Sequence, residues 1–183
     1  MQKHPATALL IIDMFSRFDF PGAAQLVPSA EAAARQIRRL RDRFDARQWP
    51  VIYANDNFSE WKQDFRQQVA QCVQDGGPAA RIATMLSPTA DHYFVLKPKH
   101  SAFLASPLPI LLAKLSVRRL WLSGMTADSC VLATALDANA REFEVRVAPE
   151  AVAGLPAAKR RAMALLANSG AAQVERFRMP ARG

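Results

Sequence analysis

The chain has 183 residues, half of them hydrophobic and 22% charged. That is enough apolar side chain to bury a sizeable core, and it excludes a disordered or collagen-like polymer. The formal net charge of +8 arises from 24 Lys and Arg against 16 Asp and Glu. Arg35, Arg38, Arg39, Arg41, Arg43 and Arg47 share one predicted helix with Glu31, Asp42 and Asp45, so the charge reads as solvated helix faces. Without a clustered stripe or a known motif, nucleic acid is not expected as a partner; steering of small anions into a cleft is a minor consequence. No apolar run reaches the roughly 20 residues of a membrane span, and residues 1–5 do not resemble a signal peptide. Two cysteines in unlike contexts, Cys72 and Cys130, give no disulfide framework, and the expected compartment is cytoplasmic.

Apolar runs alternate with amphipathic segments, the pattern of an α/β sheet. Residues 7–12 form a continuous apolar strand of the kind buried on both faces. A helix follows over residues 29–46, with Ser29 as its cap and Ile37, Leu40 and Phe44 on one face. Residues 50–54 are the second strand, followed by a polar and aromatic connection through Asn55, Asp56, Asn57, Phe58 and Trp61. Helices are predicted over residues 61–74 and, after the Gly76-Gly77-Pro78 break, to about Leu86. Residues 92–96, 118–123 and 144–147 read as the third, fourth and fifth strands, with a helix over 129–142 between the last two. A helix over 156–168 ends at Gly170, and 172–174 add a short sixth strand. The whole reads as a single domain over residues 1–183.

In an open parallel sheet, chemistry gathers beyond the carboxyl ends of the strands. Asp13 follows the first strand, Lys97 ends the third, and Cys130 opens a helix after the turn that follows the fourth. Free amides and the positive end of the helix dipole at such a start lower a thiol's pKa and bind a developing oxyanion. Taken singly, Asp13 is a backbone cap, Lys97 a solvated charge and Cys130 a small core residue. Together they supply a proton acceptor, a cation and a nucleophile. Cys72 reads as a helix packing residue and Lys99 as a solvated charge.

Three segments carry a resemblance to a known family. They are Ala8-Leu9-Leu10-Ile11-Ile12-Asp13-Met14, Leu96-Lys97-Pro98-Lys99-His100-Ser101-Ala102-Phe103, and Gly124-Met125-Thr126-Ala127-Asp128-Ser129-Cys130-Val131. With them the chain resembles the isochorismatase-like cysteine hydrolases, which include nicotinamidases and N-carbamoyl amidohydrolases. The resemblance implies a three-layer αβα sandwich around a doubly wound, mainly parallel sheet of about six strands, usually in a homo-oligomer (dimer or tetramer). It also implies an Asp13–Lys97–Cys130 triad, a cis peptide between Met125 and Thr126, and an oxyanion hole formed by the amides of Thr126 and Cys130.

Nicotinamidases place an Asp-x-His metal motif after the second strand, where this chain has Asn55-Asp56-Asn57. The expectation is therefore no metal and no cofactor, with Asp56 and Asn57 shaping the loop. Phe18, Asn57, Trp61 and His100 are the expected pocket residues. The expected reaction is hydrolysis of a small amide or carbamoyl C–N bond through a thioester. The alternatives are a vinyl ether hydrolase using Asp13 as acid, for which the thiol is dispensable, or a silent binding protein of the same fold.

Overall fold

The computed structural model describes residues 6–58 and 61–177. Residues 1–5, on which the signal-peptide expectation rests, lie outside them. Strand β1, Ala6–Ile12, runs at the centre of the sheet, and Thr7 to Ile12 are all buried. Burial on both faces is what its unbroken apolar run requires. Helix α1, Ala23–Asp45, crosses to β2, Val51–Asp56; α2, Phe65–Asp75, and α3, Gly77–Met85, then lead to β3, Tyr93–Lys97. The chain returns through α4, Leu108–Lys114, to β4, Val117–Gly124. A single π-type turn, Ala127–Val131, runs into α5, Leu132–Ala140; then follow β5, Glu144–Val152, α6, Pro156–Asn168, and β6, Gln173–Val174.

The strand order is β3-β2-β1-β4-β5-β6, and every pairing is parallel. Alternation along β1 divides the core in two. Ala8, Leu10 and Ile12 pack with Leu108 and Leu112 of α4, Ala135 and Ala138 of α5, and Leu166 of α6. Leu9 and Ile11 pack on the other face with Ile37 and Phe44 of α1, Phe65 and Cys72 of α2, and Ile82 of α3. The architecture is the expected αβα sandwich. The chain winds outward from β1 to β3, then crosses back to β4, so strand order reverses between β1 and β4. At that point their carboxyl ends diverge and leave a crevice.

Several boundaries differ from the sequence expectations. Helix α1 begins at Ala23, and its N-cap is Gly22. Ser29 lies inside the helix, where its hydroxyl accepts from Gly154 N at 3.1 Å. Helix α2 begins after Asp64, whose side chain accepts from Gln67 N while Gln67 reaches back to the Asp64 amide. That capping box leaves Trp61 outside the helix. Cys130 does not open a helix: it lies within the π-type turn, whose N-cap is Thr126.

Gly124 closes β4 against the end of β1. Its φ of 114° belongs to glycine, and a Cβ there would run into the Ile12 carbonyl oxygen. Neither partner can yield, because Met125 N donates to Ile12 O at 2.9 Å and Ala153 N to Gly124 O at 2.8 Å. Gly124→Ala should therefore cost about 3 kcal/mol, read as a lower midpoint in urea unfolding. An unchanged midpoint would show that the two strand ends are free to separate.

Candidate active site

Asp13 is the first residue beyond β1, and its N–H donates to Ala54 O at 2.9 Å. It adopts φ 51°, a left-handed conformation that Asp tolerates better than most side chains. One carboxylate oxygen, Oδ1, accepts from Asp56 N at 2.7 Å at the end of β2. The other, Oδ2, lies 2.8 Å from Lys97 Nζ, at the end of β3. Lys97 is fully buried (0% exposed). Its ammonium also points at Cys130 Sγ, 3.7 Å away, and Asp13 and Cys130 line the same cavity. The structure thus brings Asp13, Lys97 and Cys130 together across three elements distant in sequence, with Lys97 touching both of the others.

The turn that carries Cys130 is built from backbone constraints. The Met125–Thr126 peptide is cis. Ala127 N donates to Ala153 O at 2.8 Å, while Ser129 N and Val131 N donate to Thr126 O at 3.2 and 3.1 Å. The Val131 bond spans five residues and widens the turn. Thr126 and Cys130 lie together on the wall of a cavity of about 240 Å3 that opens at Asp13. Phe15, Phe20, Leu26, Phe58 and Met125 give that wall its apolar part, and Arg17, Asp19 and Asp56 its charged part. Arg17 is held by Asp75 at 2.7 Å and lies 3.8 Å from Asp19.

Phe18, Asn57, Trp61 and His100, the expected pocket residues, are not on this wall. Phe18 turns into the core on the α1–α3 face. Trp61 is 61% exposed. Asn57 shapes its loop, its Oδ1 accepting from Trp61 N and Gln68 Nε2, each at 3.0 Å. His100 approaches the site indirectly, with Nδ1 3.1 Å from Ser129 Oγ. Sequence reasoning missed Asn55, which is buried and clamps the loop after Asp13. Its Oδ1 accepts from Phe15 N at 3.1 Å and its Nδ2 donates to Phe15 O at 2.9 Å. The polar end of an otherwise apolar strand was the available signal.

The electrostatics correct one expectation. The helix-start argument predicts a lowered thiol pKa, yet burial pushes the Cys130 thiol up to about 12. The Asp13 charge adds to the rise, while Lys97 and Ser129 oppose it. Burial also raises the Asp13 carboxyl, against the Lys97 charge and the hydrogen bonds from Cys130, Lys97 and the Asp56 amide. Burial alone lowers Lys97, but Asp13 and then Cys130 turn its net shift upward. Burial thus favours the thiol form of Cys130 beside the Asp13–Lys97 ion pair.

The donor set does not form the Asp-x-His metal motif expected of a nicotinamidase. Asp56 is followed by Asn57 and Phe58, His92 pairs with Asp45 at 3.0 Å, and His100 meets Ser129. Among the described residues no three His, Cys, Asp or Glu side chains gather as a metal site. No helix among them is long and apolar enough to cross a membrane.

The model of the Isochorismatase domain matches residues 7–176. The chain is an isochorismatase-family hydrolase. Its relatives include the isochorismatase family protein YaaI of Bacillus subtilis, 34% identical over 146 residues that cover 80% of each chain. The maleamate amidohydrolase of Pseudomonas putida is 28% identical over 153 residues, 79% of this hydrolase and 71% of the relative. The N-carbamoylsarcosine amidase of Thermoplasma acidophilum superposes with a TM-score of 0.69 at 26% identity, covering 93% of this chain and 95% of its own. The last two bear the names of an amidohydrolase and an amidase.

Proposed function

We propose that this hydrolase cleaves the C–N bond of a small amide or carbamoyl compound through a thioester on Cys130, without a metal. The observation that carries the reading is that one buried ammonium joins the other two groups: Lys97 Nζ lies 2.8 Å from the Asp13 carboxylate and 3.7 Å from Cys130 Sγ, and Asp13 and Cys130 share one cavity wall. The Asp13 carboxylate takes the thiol proton as sulfur attacks the carbonyl carbon. Lys97 balances the charge on the pair throughout. The amides of Thr126 and Cys130 donate to the oxyanion that forms. Collapse breaks the C–N bond, and protonated Asp13 hands its proton to the departing ammonia or amine. Asp13 then takes a proton from water as the water attacks the thioester, and returns it to the sulfur when the acid leaves.

The test is ammonia or amine release from a panel of small primary amides and carbamoyl amino acids, in buffer containing a chelator. The reading expects turnover of at least one compound, undiminished by the chelator. Cleavage of an isochorismate-like vinyl ether by Cys130→Ala, with no amide turned over, would overturn it.

The same scheme sets the pH dependence. Asp13 works as a base only when ionised, and its pKa is raised above the ordinary carboxylate value, chiefly by burial. Activity should therefore fall as pH drops through that raised value, giving kcat/KM an acidic limb displaced upward from a free carboxylate's. A rate that stays level down through the ordinary carboxylate range would remove Asp13 from this role.

A further inference from the structure

Ser129 and His100 take no part in the scheme above, yet they form a chain that ends on its sulfur. Ser129 Oγ lies 3.1 Å from His100 Nδ1 and 3.8 Å from Cys130 Sγ. A serine hydroxyl has one proton and two acceptor lone pairs, so it cannot donate to both neighbours. With Nδ1 bare, the imidazole draws that proton to itself. With Nδ1 protonated, the imidazole donates to Oγ, and the hydroxyl proton turns towards the sulfur. A thiolate accepts such a proton more strongly than a thiol, because the bond is then charge-assisted. His100 stands at φ 36°, in the left-handed region where His, Asn and Asp are enriched among side chains other than glycine.

We propose that His100 and Ser129 are a positioning pair for the nucleophile: His100 donates from Nδ1 to Ser129 Oγ, and Ser129 thereby aims its proton at the Cys130 sulfur as negative charge develops there. The proposal rests on the role given to Cys130 above and adds a third donor to Lys97 and the backbone amides. Neither residue touches the substrate in this account. Asp13 and Lys97 face the sulfur from the ends of β1 and β3, and Asp56 acts on Lys97 from the end of β2. On the His100 side, Ser101 donates to Asp137 of α5 at 2.7 Å, and that carboxylate also pairs with Arg141 at 3.4 Å. The variants below leave all of these groups in place.

The experiment follows alkylation of Cys130 by iodoacetamide at fixed pH, reading the Cys130 peptide by mass. Cys72 is fully buried, with its thiol pushed up to about 11, and falls in a different peptide. Ser129→Ala should slow alkylation by about tenfold, the worth of a hydrogen bond to a charged group. His100→Ala should slow it comparably in the native background and have no further effect in Ser129→Ala. His100→Asn tolerates the left-handed backbone and keeps a donor near Nδ1, so it should restore the native rate. A purely structural role for the loop would instead slow alkylation by His100→Ala in the Ser129→Ala background as well. Equal slowing by His100→Ala in both backgrounds, or no slowing in the native one, would overturn the pair. Alkylation reads the sulfur without any substrate, so failure of the amidase reading appears separately, as amide turnover retained in Cys130→Ala.

Discussion

Cys130→Ala should lose at least about ten-thousandfold in kcat on the amide this hydrolase turns over, with folding unchanged. The expected size follows from the chemistry rather than from the family. With the sulfur gone, water must attack an unactivated amide directly, and only the oxyanion donors and the bound geometry still help. The side chain is small and partly exposed at the cavity, so its loss opens little new space beneath it. Thermal unfolding should stay close to that of the native protein, separating lost chemistry from lost structure. A drop of less than about tenfold would mean that the thiol assists but does not carry the reaction.

The second large effect belongs to Lys97. Its ammonium is fully buried against Asp13, so Lys97→Met preserves most of the volume while leaving a carboxylate in the protein interior to which the Asp56 amide still donates. Removing one partner of a buried pair costs about 3–5 kcal/mol, because the survivor remains desolvated. Asp13 relieves this by taking up a proton, and a protonated Asp13 is no base, so turnover should fall with stability. The sign of the pH dependence follows. A carboxyl whose folded pKa lies above its unfolded value binds protons more tightly in the native state, so the stability deficit narrows as pH falls through the folded value. Adding Asp13→Asn, which is neutral and keeps an acceptor for the Asp56 amide, should recover stability without recovering activity. Urea unfolding of the two variants beside the native protein checks both statements. Native-like stability in Lys97→Met alone would mean that water, not protein, surrounds the pair.

The central strands and the three side chains that meet beside the cavity were legible in the sequence because they obey local rules. Residues 7–12 form an unbroken apolar run only because both faces of β1 are covered, and Asp13, Lys97 and Cys130 stand at or just beyond strand ends. What escaped the sequence depends on tertiary contacts. Pro28-Ser29 looks like a helix start, but α1 continues through the proline because Ala23, Leu26 and Ala30 bury themselves and Ser29 is taken by Gly154. Helix α4 is seven residues with prolines beside its start, which hid the buried Leu108 and Leu112. Strand β5 runs past Val147 to Val152, through Pro149, where its register with β4 shifts. The cavity wall was least legible. It draws Phe15 and Arg17 from the loop after β1, Leu26 from α1, and Asp56 and Phe58 from the end of β2, and no periodicity links those positions. The thiol's raised pKa was hidden for a similar reason: a helix-start rule carries no information about the burial of the sulfur or the carboxylate near it.

The most direct measurement is the mass of the intact hydrolase quenched in acid during turnover of an amide, followed by mapping of the peptides. A covalent bond between sulfur and the substrate's carbonyl carbon predicts a species heavier by the acyl group, located on Cys130 and lost on standing with water. Steady turnover with no acylated protein at any quench time, and with full activity in Cys130→Ser, would contradict it.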